Sequence, residues 1–204
     1  MWHLEWAREI ASGKLIGDGA YFRGPFYPYL LAFFLKITDS SIFWARFLQI
    51  FIASASAVFV YLMGRDYFSR RIGIAAALAY SLYGPLIFYE TMFLIPVVFI
   101  FLNLLSIYLL LHYKKQKNWR IWFLAGIVFG LAAISRPNVL VLVPFLLIWL
   151  YFIFSELKNF IQKIKIPLIY LVGILIPVFA VSLRNYAVTG EPAVSYTHLR
   201  AHET

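Results

Sequence analysis

Long apolar segments separated by short polar loops constrain this chain more than any other feature of its sequence. A membrane-spanning helix needs about 20 largely apolar residues. Six segments approach or reach that length: 41–63, 73–89, 92–111, 121–135, 138–154 and 166–183. We therefore predict an all-α, polytopic transmembrane helix bundle with about six spans. The hydrophobic fraction of 63% supports this class, because soluble domains are only about 45–50% apolar.

The basic residues of the loops predict how these helices are oriented. Alternate loops, at 64–71, 112–120 and 155–165, carry three, four and three basic residues, hence 10 of the 18 lysines and arginines. Cytoplasmic loops of membrane proteins are enriched in Lys and Arg. We therefore predict that these three loops face the cytoplasm and that the intervening turns face outside.

Charge and cysteine content exclude two other kinds of site. The net charge of +9 would suggest a nucleic-acid partner in a soluble protein, but here the basic loops account for it, and the sequence shows no basic groove interleaved with exposed aromatics. We predict no nucleic-acid partner. The chain contains no cysteine, which excludes a disulfide framework and a thiolate metal site.

The residues before the first span are predicted to lie at the outer face. Trp2, Trp6 and Ile10 recur at i, i+4 and i+8, a pattern typical of a short amphipathic helix in the membrane interface. Gly13 can end this helix. The segment 24–37 is apolar but too short to span comfortably, which predicts a second interfacial or re-entrant helix.

The last eleven residues, VSYTHLRAHET, do not continue the apolar pattern. The string resembles a translated sequencing adaptor, so we exclude it from fold reasoning and do not interpret His198, His202 and Glu203 as a metal site. The chain is thus divided into an outer-face region with juxtamembrane helices, a transmembrane bundle and a non-native tail: residues 1–40, 41–193 and 194–204.

Three stretches carry a resemblance to a known family. They read WAREIASGKLIG…YFRGPFYPYLLAFFLKI, WFLAGIVFGLAAISRPNVLVLVP and VSLRNYAVTGEPAVS. In this order and spacing they resemble the polyprenyl-phosphate-sugar glycosyltransferases of the GT-C superfamily. The branch concerned is similar to bacterial protein O-mannosyltransferases and to the aminoarabinose transferase of lipid A. The resemblance covers essentially all of residues 1–193.

The resemblance implies an inverting glycosyltransferase that moves a sugar from a polyprenyl-phosphate donor to a lipid, glycan or protein acceptor. It implies an integral protein of the bacterial inner membrane, in contact with membrane lipids, with its active site on the periplasmic side. It also implies that a first span and the main catalytic aspartate precede Met1, so that this chain is expected to be an inactive fragment. Whether the reaction needs a divalent metal ion stays open.

The expected chemistry needs a carboxylate that deprotonates the acceptor or positions a metal, and cations that stabilise the departing phosphate. The resemblance places Glu90 near the active site and Arg23 at a donor-binding position, and the family keeps arginines at Arg136 and Arg184. We predict that the three arginines converge on one outer-face cavity. The structural alternatives are an interfacial acid at Glu90, snorkelling of Arg23 to lipid phosphate, and helix capping by Arg136 and Arg184.

Other charged residues are given weaker interpretations. Glu5 and Glu9 share a helix face and could hold a cation, but Arg8 lies close enough to neutralise Glu5, so a solvated face is predicted. Arg46 lies near the outer end of the first span, with Gln49 one turn on. A charge at this depth is a functional hypothesis, although snorkelling explains it equally well.

Two other classes of protein remain as alternatives. A lipid flippase or transporter also has many spans, but such proteins usually show paired repeats and broken helices, and the sequence indicates neither. A non-catalytic membrane protein has no need for arginines at successive outer turns. The glycosyltransferase is therefore the leading hypothesis.

Overall fold

The computed structural model describes residues 2–14, 21, 23–112, 118–153 and 160–190, and over these residues every regular element is helical. The predicted all-α class is confirmed. The helices are α1 (Trp2–Ala11), α2 (Phe26–Ile37), α3 (Ile42–Tyr67), α4 (Arg70–Ser81), α5 (Gly84–Thr91), α6 (Pro96–His112), α7 (Trp119–Ser135), α8 (Val143–Ile153) and α9 (Phe160–Thr189), with a 3₁₀ segment at Pro137–Leu142. The predicted non-native tail lies outside the described residues.

Helix length separates the predicted spans into two groups. By length and composition, α3 and the part of α9 from Lys163 to Thr189 can each cross a membrane, and α4 and α5 qualify together as a bent pair. The other three predicted spans coincide with shorter apolar helices, namely α6, α7 and the run Pro137–Ile153. The helices thus fit a membrane bundle, whereas the division at residue 40 and the orientation of the loops stay predictions.

The predicted span 73–89 is not one straight helix. Here α4 ends at Ser81, α5 begins at Gly84, and the two axes differ by 54°. The cause is local, because Pro85 has no amide hydrogen to donate to the carbonyl of Ser81, four residues earlier. Proline is well tolerated in the first turn of a helix, so a new helix begins here instead of the old one continuing.

The chain divides into two compact units. The first comprises Met1–Ile16 and Phe26–Tyr108, and the second comprises Gly17–Pro25 and Leu109–Thr204. In the first unit α3 and α4 fold back on each other so tightly that their backbones touch. A Cβ atom on Gly73 would lie 2.7 Å from the carbonyl oxygen of Tyr61. The hydroxyl of Ser69 caps α4 by accepting the Ile72 amide at 3.3 Å, as N-terminal serines commonly do.

The buried face of α1 differs from the predicted stripe. The helix packs against α2 with His3, Leu4, Ala7 and Ile10 buried, whereas Trp2 is 42% exposed. Contact with α2 thus buries a face of the helix that shares Ile10 with the predicted stripe, and the interfacial position of Trp2 and Trp6 stays a prediction. The predicted end of the helix is confirmed: Gly13 adopts a φ of 108°, which glycine tolerates and other residues rarely adopt.

The second unit is built around the contact of α7 with α9. Gly126 faces the backbone of Tyr170, and a Cβ atom on Gly130 would lie 2.6 Å from the carbonyl oxygen of Ile174. Moving four residues along α7 thus moves the contact four residues along α9, so the two helices run parallel and end at the same side of the unit. Small residues allow such close backbone contact in membranes, as in GxxxG motifs, and Gly126 and Gly130 have that spacing.

Candidate functional site

Helix α7 ends at Ser135, and Arg136 follows it as the residue between α7 and the 3₁₀ segment. Arg136 is extended, with φ −142° and ψ 95°. Its amide donates to the carbonyl of Ala132 at 3.0 Å, and its own carbonyl accepts from the amide of Val139 at 3.1 Å. The helix ends at Ser135, where the predicted span 121–135 ends, and Pro137 then begins a 3₁₀ segment and not an α-helix. The Arg136 side chain is exposed, so it can reach a ligand.

The end of α9 carries Arg184 and a fully buried amide. The Arg184 guanidinium lies 4.0 Å from the ring centroid of Tyr21, a cation–π contact. Its Nη1 donates to Oδ1 of Asn185 at 3.0 Å, and the same oxygen accepts from the backbone amide of Tyr21 at 3.3 Å. Asn185 is 0% exposed. This single side chain therefore holds both Tyr21 and the half-buried Arg184 in position.

The short segment before α2 contacts the ends of both helices. Tyr21 packs on the end of α9. Gly24 lies so close to the end of α7 that a Cβ atom there would collide with the carbonyl oxygens of Ile134 and Ser135. Arg23 lies between these two anchors in the sequence, and its side chain is exposed. Only glycine allows this approach at position 24.

The structure thus brings Arg23, Arg136 and Arg184 to the same end of the second unit. Both α7 and α9 end there, and helix C-termini carry a partial negative charge that favours cations. The described residues of this unit include no Asp or Glu; its Asp18, Glu156, Glu191 and Glu203 lie outside the described part of the chain. The arrangement is rich in guanidinium groups, which suit the two-point binding of a phosphate.

Glu90 belongs to the first unit, where Gln49 fixes the backbone around it. The Gln49 side-chain amide donates to the carbonyls of Tyr89 and Glu90, each at 3.2 Å, and to that of Met92. Its Oε1 accepts from the Tyr27 hydroxyl at 2.6 Å. Burial raises the pKa of Tyr27, so this hydroxyl stays protonated and continues to donate. The Glu90 side chain is half-buried.

Two further contacts extend this arrangement. The ring of His3 meets the ring of Tyr27 edge-on at 5.5 Å, which joins α1 to the same cluster. The Arg46 guanidinium lies 5.7 Å from the ring centroid of Phe93, just after the segment that Gln49 holds. Sequence reasoning missed the role of Gln49, although a buried polar residue inside an apolar helix was the available signal.

A metal site is not assembled among the described residues. No group of three or more His, Asp or Glu side chains comes together in that part of the chain. Glu5, Arg8 and Glu9 are all exposed, as expected for a solvated face of α1.

The family model described as dolichyl-phosphate-mannose-protein mannosyltransferase matches residues 23–183. The chain belongs to this family. It is therefore a member of a family of membrane glycosyltransferases of the GT-C type, which agrees with its apolar helices. The match begins at Arg23, includes Glu90 and Arg136, and ends one residue before Arg184. No curated protein and no solved structure matches the chain significantly.

Proposed function

We propose that the end of the second unit that carries Arg23, Arg136 and Arg184, the arginine end, binds the phosphate of a polyprenyl-phosphate sugar during glycosyl transfer. This would take place at the outer, periplasmic face of the bacterial inner membrane. The observation that carries this proposal is the contact of Tyr21 with the end of α9 and of Gly24 with the end of α7, which brings Arg23 to the end where Arg136 and Arg184 lie. Membership of a glycosyltransferase family supplies the chemical context.

The arginines would act on the leaving group. When the bond between the sugar and the phosphate oxygen breaks, negative charge grows on that oxygen. A preorganised guanidinium stabilises such a charge, and its planar fork can bind two oxygens at once. Arg184 is already held by Tyr21 and Asn185, so little reorganisation is needed when the donor binds.

We propose that the Glu90 carboxylate takes the proton from the acceptor hydroxyl. An acceptor hydroxyl must lose its proton as it attacks the sugar, and a carboxylate can accept that proton. The family match covers Glu90, and the hydrogen bond from Gln49 fixes its backbone.

Binding of farnesyl phosphate to the purified chain in nanodiscs tests the phosphate site, with farnesol as the uncharged comparison. Arg136→Ala should weaken farnesyl phosphate binding by roughly tenfold or more, because hydrogen bonds to charged groups contribute about 1.5–3 kcal/mol. The affinity of Arg136→Lys for farnesyl phosphate should lie between those of Arg136→Ala and the unmodified chain, since lysine keeps the positive charge but cannot bind two phosphate oxygens at once.

Arg120→Ala is the matched control, because Arg120 lies at the other end of α7, against the ring of Trp119. It should leave binding unchanged. Equal losses at both arginines would show nonspecific charge attraction. A lowered unfolding temperature in Arg136→Ala with unchanged binding would show that Arg136 only closes the helix.

A lipid flippase or transporter is the second candidate, and one observation favours it. Transporters use broken helices, and α4 and α5 form such a break. The family match favours the glycosyltransferase. Movement of a fluorescent polyprenyl phosphate across proteoliposomes that contain the chain would favour the transporter instead.

A further inference from the structure

An apolar groove of about 430 Å³ lies between α8 and α9 in the second unit. Its walls include Tyr151 and Phe152 of α8 and Ile164, Pro167 and Leu168 of α9. Phe152, Ile164 and Leu168 are 64%, 45% and 55% exposed, so this part of the chain leaves them uncovered. On a membrane helix, an exposed apolar surface of this kind is expected to contact the hydrocarbon chains of lipids.

Basic side chains flank the groove at the beginning of α9. Lys163 and Lys165 stand on either side of Ile164 in the sequence. Lys163 lies one turn before Pro167, and Lys165 lies three residues before Leu168, so both flank the helix face that lines the groove.

The groove and the arginine end lie at opposite ends of one helix. Lys163 and Arg184 are separated by 21 positions of α9, which corresponds to about 30 Å along a helix axis. That is about the thickness of the hydrocarbon core of a bilayer. A lipid whose phosphate lies at the arginine end therefore cannot also have its phosphate at Lys163.

We propose that this groove binds one anionic glycerophospholipid, with an acyl chain along α8 and α9 and its phosphate at Lys163 and Lys165. The loop before α9 is one of the three predicted to face the cytoplasm, where anionic lipids attract basic residues. The described parts of α8 and α9 contain no acidic residue; Glu156 and Lys158 of the preceding loop lie outside the described chain. The occupant is thus a different lipid from the sugar donor.

Retention of lipids by the purified chain tests the headgroup site, which is formed by Lys163 and Lys165. The chain is reconstituted with equal amounts of phosphatidylglycerol and phosphatidylcholine, transferred to mild detergent, and the retained lipids are counted by native mass spectrometry. The unmodified chain should retain phosphatidylglycerol preferentially. Lys163→Gln with Lys165→Gln should reduce that preference by about fivefold for each lysine.

The double variant Arg70→Gln with Arg71→Gln is the matched control, because it removes two charges from another loop predicted to be cytoplasmic. It should leave the preference intact. Equal losses in the two double variants, or no preference in the unmodified chain, would overturn the headgroup site.

Bulky substitutions in the groove test whether it holds the acyl chain of the lipid. Leu168→Trp or Ile164→Trp should reduce retention of both lipids, whereas Leu175→Trp, at an exposed α9 position outside the groove, should not. Undiminished retention in both groove variants would contradict the proposal. Displacement of the retained phosphatidylglycerol by farnesyl phosphate would also contradict it, because the groove would then hold the donor. Failure of the arginine site alone leaves these results unaffected.

Discussion

The side-chain amide of Gln49 donates a hydrogen bond to the backbone carbonyl of Glu90 across 3.2 Å. The bond joins the buried face of α3 to the end of α5, the second half of a broken helix. Since Gln49 also bonds to Tyr27, one amide connects three helices around the only acidic residue of its predicted outer turn.

Replacement of this amide should destabilise the first unit. Gln49→Leu leaves the Tyr27 hydroxyl and the carbonyls around Glu90 without their partner, and a buried unsatisfied polar group costs about 1–3 kcal/mol. The free energy of unfolding of the purified chain should fall by at least that amount in a denaturant titration. Ser54→Ala removes an exposed hydroxyl from the same helix and should have little effect. Similar stability in the two variants would contradict the assigned role of Gln49.

Asn185 should control the arginine end without contacting the donor. Asn185→Ala removes the oxygen that accepts from Tyr21 and Arg184, so farnesyl phosphate binding should weaken severalfold. Asn185→Asp keeps an acceptor for both donors and should retain more of the affinity, although its added negative charge opposes phosphate. If Asn185→Ala binds farnesyl phosphate as tightly as the unmodified chain, Asn185 does not position the arginines.

Gly24→Ala should displace the segment that carries Arg23. The new methyl group would collide with backbone carbonyls at the end of α7, and overpacking costs about 1–3 kcal/mol. A scan of thermal unfolding should show a lower transition temperature, and farnesyl phosphate binding should weaken in parallel. Gly84→Ala serves as the control, because a Cβ atom at Gly84 has nothing within 4 Å. A larger effect at Gly84 than at Gly24 would show that Gly24 is not packed against the end of α7.

Cysteine labelling can test the orientation directly, because the chain contains no cysteine. Single cysteines at Ser69, Gln116 and Asn159 lie in loops predicted to be cytoplasmic, so an impermeant thiol reagent should label them only after lysis. A cysteine at the exposed Asn138, beside the turn at Arg136, should be labelled in intact cells. The reverse pattern would invert the topology and move the arginine end to the cytoplasmic face.

Local rules explain what the sequence could predict. The apolar segments and the end of α7 before Arg136 depend on residues adjacent in the chain, and both appear in the structure. The break before Gly84 was missed because average hydropathy over a segment hides a single proline. The anchoring roles of Gln49 and Asn185 depend on partners about 40 and 164 positions away, which no local pattern identifies. The buried face of α1 likewise depends on α2.

The parallel contact of α7 with α9 has a consequence for how the protein is made. At about 5–20 residues per second, a ribosome adds the roughly 47 residues from Gly126 to Gly173 in about 2–9 seconds. Throughout that interval the glycine face of α7 has no α9 to pack against, and lipid or the insertion machinery must cover it. The two helices can therefore pack only after α9 has been synthesised. A bulky residue at Gly126 would therefore act late, once α9 has been synthesised and meets α7.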